Sequence, residues 1–308
     1  REVVRSYLGD PRVCLIEQSR NQGIALTQNA GISLSSGEFI CILNADDIWR
    51  PEKLARQVAF LDDNREISSV FNIPELIDGE GARIGENDER WTKTFEVENR
   101  SPAQWIRRLL ERGNCLFHPS AMIRRAAHES VGLYDPRFSC AHDFDLWIRM
   151  LLAGQSFHVL AERDTCFRMH GENDSWRNPR DRMNIESCQV FRRIGDLRDE
   201  AFFYEIVPEC RAMGRWDAEM APYYFGVFLI EHLNRKIFAN ILAADLLWTF
   251  LSAPERVELA TELAGFNWPA FHALMARMNV RPAKKKNLIT AVAKKSKALL
   301  TERIGVAW

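Results

Sequence analysis

Three short clusters in this sequence carry side chains from which a reaction could be built. The first, Asn44-Ala45-Asp46-Asp47, follows the most apolar strand-like run, Glu38-Phe39-Ile40-Cys41-Ile42-Leu43. Its two carboxylates offer the oxygen ligands that hard divalent cations such as Mg²⁺ and Mn²⁺ prefer. The same acids would serve equally as caps for the helix that Pro51 opens, and on these residues alone the two readings stand even. The second cluster is His142-Asp143-Phe144-Asp145-Leu146-Trp147, at the start of an apolar helix. Acids in a first turn commonly compensate the helix dipole, and a lone pair there is more often that than catalytic. The third is Arg168-Met169-His170-Gly171, where a strand ends and an isolated His is usually a polar surface group.

Positioning these clusters falls to alternating strands and helices. Short apolar runs predict strands at 13–16, 38–43, 68–73, 120–123, 157–160 and 165–169. Helical periodicity covers 1–8, 23–34, 51–62, 102–112 and 143–152. That alternation predicts βα units around a mainly parallel sheet. The first cluster then lies beyond the carboxyl end of a strand, where open α/β sheets bind ligands. Residues 78–100 are polar and read as an exposed loop. Strand signals stop near residue 180, and 184–195, 198–213, 219–251, 254–264, 268–278 and 286–303 read as helices. Ile230, Leu233, Ile237 and Ile241 give these a core-facing stripe. The expected organisation is an α/β domain over 1–180 and a helical domain over 181–308.

With 46% hydrophobic and 27% charged residues, the chain is neither disordered, collagen-like nor a small disulfide scaffold. Its 41 basic and 42 acidic residues argue against a nucleic-acid binder that works by blanket electrostatics. The balance conceals a basic tail. Lys284, Lys285, Lys286, Lys294, Lys295 and Lys297 flank Leu288, Ile289, Val292, Leu299 and Leu300, the composition of a basic amphipathic helix. Such a helix either lies on an anionic membrane surface or packs its apolar stripe on the helical domain. The 7 cysteines are widely spread with no CxxC pair, which predicts buried thiols in a reducing compartment. The apolar stretch from Ile237 to Ala253 is broken by Asp245 and falls short of the roughly 20 residues of a spanning helix. A buried helix in a soluble or peripheral protein is expected. No secretory signal opens the chain, and a start at Arg1 rather than Met leads us to expect a truncated N-terminus.

As an ordered set the clusters resemble the family 2 glycosyltransferases, inverting enzymes of the GT-A fold that use nucleotide sugars. Arg20-Asn21-Gln22-Gly23 and Gln28-Asn29-Ala30-Gly31 look like that family's pair of RN-x-G motifs. The stretch from Gly37 to Asp47 looks like its G-E-[YF]-I-x-x-L-D-x-D-D. Gly132-Leu133-Tyr134-Asp135 followed by Asp143-Phe144-Asp145-Leu146-Trp147-Ile148-Arg149 looks like its G-x-[YF]-[DE] … [ED]-D-x-D-L-W-x-R. His118-Pro119-Ser120 and Arg168-Met169-His170 complete the order, and the likeness spans about residues 1–176. Three positions depart from it: Asn44 stands for an Asp, His142 for a Glu and Gln28 for an Arg. The family's first strand and the acidic loop after its second would precede Arg1.

The resemblance implies an α/β GT-A (Rossmann-like) domain, with a mixed, mainly parallel sheet and flanking helices, followed by an all-α C-terminal domain. It implies Asp143 as general base and Asn21, Gly23, Asn29, Asn44, Asp46 and Asp47 on the donor side. Asp46 would help hold Mg²⁺ or Mn²⁺, with His170 as a further metal or diphosphate contact. The implied partners are a nucleotide-sugar donor and a saccharide or lipid-linked acceptor, with no nucleic acid and with peripheral membrane contact through the tail 281–308. The implied role is hexosyl transfer in polysaccharide or glycoconjugate synthesis, in the cytoplasm or at the inner face of the membrane. Two alternatives stand beside it: a non-catalytic binding or scaffold protein on a degenerate transferase fold, and a helical half that docks a partner or membrane beside a vestigial α/β half.

Overall fold

The structure, a computed structural model, describes residues 2–84, 93–170 and 180–278. The basic tail and the helix predicted at 286–303 lie outside the described residues.

Five strands form one mixed sheet: β1 (Phe39–Cys41), β2 (Ile48–Trp49), β3 (Ile67–Ile77), β4 (Met122–Arg124) and β5 (Ser156–Arg168), in the order β1-β4-β3-β5-β2. The mixed α/β class and the flanking helices are as expected, but the predominance of parallel pairs is not found among the described residues. Only β3 and β5 run parallel, with Phe71 opposite Val159 and Leu76 opposite Phe167. The other three pairings are antiparallel. The physical reason is local. Residues 13–16 join no ladder, and β1 and β2 are short edge strands with one neighbour each. Edge placement also explains why the apolar run 38–43 leaves Leu43 exposed. The two strands predicted at 157–160 and 165–169 are a single strand, β5, whose register slips against β3 between Asn72 and Pro74.

The helices of this half are α1 (Glu2–Arg5), α2 (Ile24–Leu34), α3 (Lys53–Asp63), α4 (Pro102–Arg112), α5 (Arg125–Val131) and α6 (His142–Leu152). Ser101 and Gln104 close a capping box on α4, each accepting from the other's backbone N–H, a start written in the sequence as Ser-Pro-x-Gln. From Arg180 onward the described chain is helical: α7 (Arg180–Arg192), α8 (Glu200–Ile206), α9 (Ala221–Leu233), α10 (Ile237–Leu251), α11 (Pro254–Ala264) and α12 (Trp268–Met275). The predicted helix 219–251 is two helices, α9 and α10, broken at Asn234–Lys236.

One apolar core runs through both halves. Phe71, Trp147 and Phe157 meet edge to face with ring centroids 5.0–5.9 Å apart. Phe144 on α6 continues this contact into the helical half through Phe191, 5.3 Å away, and Phe191 stacks on Phe238 of α10. Among the described residues no single helix is long and apolar enough to cross a membrane. The pair α10 and α11 passes that test only jointly and is bent by 107°.

Candidate active site

The acidic loop between β1 and β2 is held from the far end of β5. The Arg168 backbone N–H donates to Asp47 Oδ1 at 3.1 Å, and Arg168 Nε donates to the Asp46 carbonyl at 2.8 Å. Asn44 Nδ2 donates to the other Asp47 oxygen at 3.0 Å. Asp47 is therefore an internal strut of the loop, 7% exposed. Burial lifts its pKa to about 6, with neighbouring Asp46 adding to the rise against the Arg168 and Asn44 donors. Asp46 is half-exposed, and its Oδ2 lies 3.0 Å from His170 Nε2. The first and third clusters, 124 residues apart, thus meet at one point.

Among the described residues no three His, Cys, Asp or Glu side chains form a cation cage. A carboxylate and an imidazole converging at hydrogen-bond distance still fit a partial ligand set for a divalent ion of Mn²⁺ type, which accepts both donor classes and fills its remaining positions from water or phosphate.

A continuous set of contacts leads from this loop to the second cluster. Trp49 Nε1 donates to the Pro119 carbonyl at 2.9 Å. His118 Nε2 lies 2.7 Å from the Tyr134 hydroxyl, and the rings of His118, Tyr134 and His142 stand 5.5–5.6 Å apart. His142, the departure from Glu, is a buried member of this cluster. Burial, with His142 and His128 nearby, pushes the His118 pKa down to about 3.

Asp143 follows immediately. Its Oδ2 accepts from Asn114 Nδ2 at 2.9 Å and its Oδ1 from the Phe144 N–H at 2.7 Å. Burial pushes its pKa up, while His142 and these donors pull it back. Asp145 has the opposite surroundings. It is fully buried, accepts from Arg149 Nε at 2.8 Å, and stands 3.0 Å from an Arg193 nitrogen. An ion pair of that kind on both oxygens leaves nothing to offer a substrate. Asp143 keeps partial exposure.

The remaining predicted donor-side residues have hydrogen bonds of their own. Asn21 Oδ1 accepts from the Gly23 N–H at 2.8 Å, a turn that enters α2 with Gly23 at φ 84°. Both polar atoms of the Asn29 side chain bind the Tyr134 backbone, at 2.7 and 3.0 Å. Asn29 therefore fixes the strand of chain that carries Tyr134.

Several residues were not legible as part of this site. Asn114 had no motif to mark it. Lys53 is fully buried, donates to Gln57 Oε1 at 2.7 Å, and lies 4.2 Å from the Trp49 ring centroid. Burial lowers its pKa to about 8. Gln57 in turn donates to Asn72 Oδ1 and to the Ser120 carbonyl at 2.6 and 2.8 Å, tying α3 and β3 to the His118-Pro119-Ser120 turn. The Lys53–Gln57 i, i+4 spacing was the available signal, and it reads as an exposed helix face.

Residues 1–132 match the family model for glycosyl transferase family 2. An uncharacterised glycosyltransferase of Methanocaldococcus jannaschii is 27% identical over 162 residues, 52% of this chain and 52% of that protein. The succinoglycan biosynthesis protein ExoO of Rhizobium meliloti is 37% identical over 76 residues, 24% of this chain and 22% of that protein. The chain spans about half the length of the M. jannaschii relative. Among solved structures, S. aureus TarS 1–349 in complex with UDP-GlcNAc aligns over 80% of this chain and 73% of its own, with a TM-score of 0.50 at 16% identity, a likeness of fold. The motif order, the mixed sheet and the family match agree, and over residues 1–132 the chain is similar to glycosyl transferase family 2.

Proposed function

We propose that this chain transfers a sugar from a nucleotide-sugar donor to an acceptor hydroxyl with inversion. The observation that carries the reading is Asp143, a half-buried residue whose carboxyl pKa is raised by burial and which is oriented by Asn114 and by its own helix start. It takes the proton of the acceptor hydroxyl as that oxygen attacks the anomeric carbon, and the bond from that carbon to the diphosphate oxygen breaks. Lifting a carboxyl toward neutrality strengthens it as a base at working pH.

Asp46 and His170 would hold a divalent cation, Mg²⁺ or Mn²⁺, with Asn44 as a neutral neighbour. When bound, the ion neutralises charge on the departing diphosphate. Asp47 shapes the loop, and Asn21, Gly23 and Asn29 belong to the donor side by resemblance. Similarity to the succinoglycan biosynthesis protein ExoO supports a role in polysaccharide or glycoconjugate synthesis. We place the protein in the cytoplasm, with the basic segment 281–308 as a contact to the inner face of the membrane.

The test is release of nucleoside diphosphate from UDP- and GDP-sugars with Mn²⁺, UDP-GlcNAc first. Asp143→Asn is expected to lower turnover by about 10²–10⁴-fold with donor affinity and folding nearly unchanged. Retention of most activity would remove Asp143 from the reaction. Absence of release by the unmodified protein with every donor would favour the scaffold alternative.

A further inference from the structure

The helix that carries Asp143 does not cap itself. The residue before α6 is Ala141, with no side chain able to accept from the first turn. The acceptor comes from α7, 45 to 47 residues later in sequence. Glu186 Oε1 takes the Ser139 N–H at 3.0 Å and the Ser139 hydroxyl at 2.7 Å. Its Oε2 takes the N–H groups of Cys140 and Ala141 at 3.0 and 2.8 Å. Three successive backbone amides thus converge on one carboxylate that is 8% exposed. Negative charge at a helix start is favoured by the unpaired N–H groups there, and bonds to an ionised acceptor are the stronger kind. A second link joins the same two segments. Asp145, on α6, pairs with Arg193 directly after α7 and with Arg149, whose guanidinium also donates to the Val131 and Leu133 carbonyls at 2.6 and 2.8 Å.

We propose that Glu186 is a positioning residue for Asp143: it fixes the loop 139–141 and so the direction in which the Asp143 carboxylate leaves the first turn of α6. The inference rests on the reading of Asp143 as the base, and assigns to the helical half a part in building the active site. Asp143 Oδ1 is held by the Phe144 N–H, one residue into the helix that Glu186 starts. A loop freed at 139–141 lets that turn fray and lets the carboxylate rotate away from an attacking hydroxyl. Misplacement by about 1 Å costs up to about 10²-fold in rate.

Two measurements on the full chain test this, with Glu186→Gln and Glu186→Asp. Glu186→Gln keeps one acceptor oxygen but points an NH₂ group at backbone donors, whereas Glu186→Asp keeps the charge on a shorter arm. Hydrogen exchange at the amides of residues 139–144 is expected to rise about 10-fold or more in Glu186→Gln, as local protection is lost, and less in Glu186→Asp. In UDP release from UDP-GlcNAc with Mn²⁺, Glu186→Gln is expected to lower kcat by about 10²-fold with KM within 2-fold, and Glu186→Asp to recover part of it. Unchanged exchange at the Phe144 amide, or a kcat within 2-fold of the parent, would overturn the proposal. A fall in melting temperature with kcat and KM altered together would reduce Glu186 to a structural tie and also overturn it. If the unmodified chain releases no nucleotide, the reading of Asp143 as a base fails separately, and the exchange arm still decides whether Glu186 fixes the turn that carries it.

Discussion

Asp143 and Asp145 are two positions apart on one helix, and their surroundings give them different work. Asp145 lies at zero exposure between two guanidinium groups, so its removal takes the counter-ion from the largely buried Arg149, a change that destabilises by several kcal/mol. Asp143 faces the amide of Asn114 and keeps partial exposure. Beside Tyr134, His128 gives a titration whose sign is fixed by burial, which lowers its pKa from 6.5 to about 4. The unfolded chain protonates this imidazole near pH 6.5 while the folded chain resists protonation until about pH 4. Stability is therefore lost as pH falls through 6.5. From pH 7 to pH 5 the loss from this group is about 2 kcal/mol. Urea unfolding of the parent and of His128→Phe at both pH values measures it: the difference in stability between them is expected to shift by that amount toward the variant at pH 5. A pH-independent difference would mean that the His128 ring is solvated.

At the scale of elements, the helical half depends on close approach between α9 and α10. A Cβ on Gly226 would stand 2.8 Å from Leu247 Cγ and 3.5 Å from the Ala243 carbonyl oxygen. No side chain fits there without parting the two helices. Gly226→Val is expected to destabilise by about 2–3 kcal/mol through overpacking, read as a lower urea midpoint with an unchanged slope. An unchanged midpoint would show that α10 can shift freely. At the other end of the site, α3 contributes Lys53 and Gln57 to a buried polar network with Asn72 and Ser120. That network sets the His118-Pro119-Ser120 turn against the sheet, and with it the Trp49 bond that anchors the acidic loop.

Across the whole molecule, the strand-bearing and helical halves share one core, joined at Phe144–Phe191 and by Arg107 of α4, which donates to Glu209 at 2.7 and 2.9 Å and to the Ile206 carbonyl. A boundary at residue 180, where strands give way to helices, is a change of secondary structure across which burial continues. The expected consequence is one cooperative transition: far-ultraviolet circular dichroism, dominated by helices, and tryptophan fluorescence should unfold with the same midpoint and slope. Two separated midpoints would show halves that hold their structure independently, and would weaken the case for a helical segment that shapes the 139–141 loop.

The sequence by itself determined the elements whose signals are local. The helical periods of α4 and α6 and the strand signals that stop near residue 180 all come from neighbouring residues, and both helices stand within a residue of where those signals placed them. The three chemical clusters were legible for the same reason, as short strings of reactive side chains in a fixed order. Only the tertiary structure decided which of those side chains meet and which are already engaged. Asp46 touches His170, Asp47 supports its own loop, Asn29 holds Tyr134 and Asp145 is locked between arginines. It also decided which strands pair and that three of the four pairings are antiparallel, because strand direction depends on which edges meet. Glu186 marks the limit: in sequence it is one acid on a polar helix, and only the packing of α7 against the 139–141 loop turns its carboxylate into the cap that α6 lacks. Contacts that close over long separations leave no local pattern, since their stability arises from desolvation and geometry that exist only once the chain has folded.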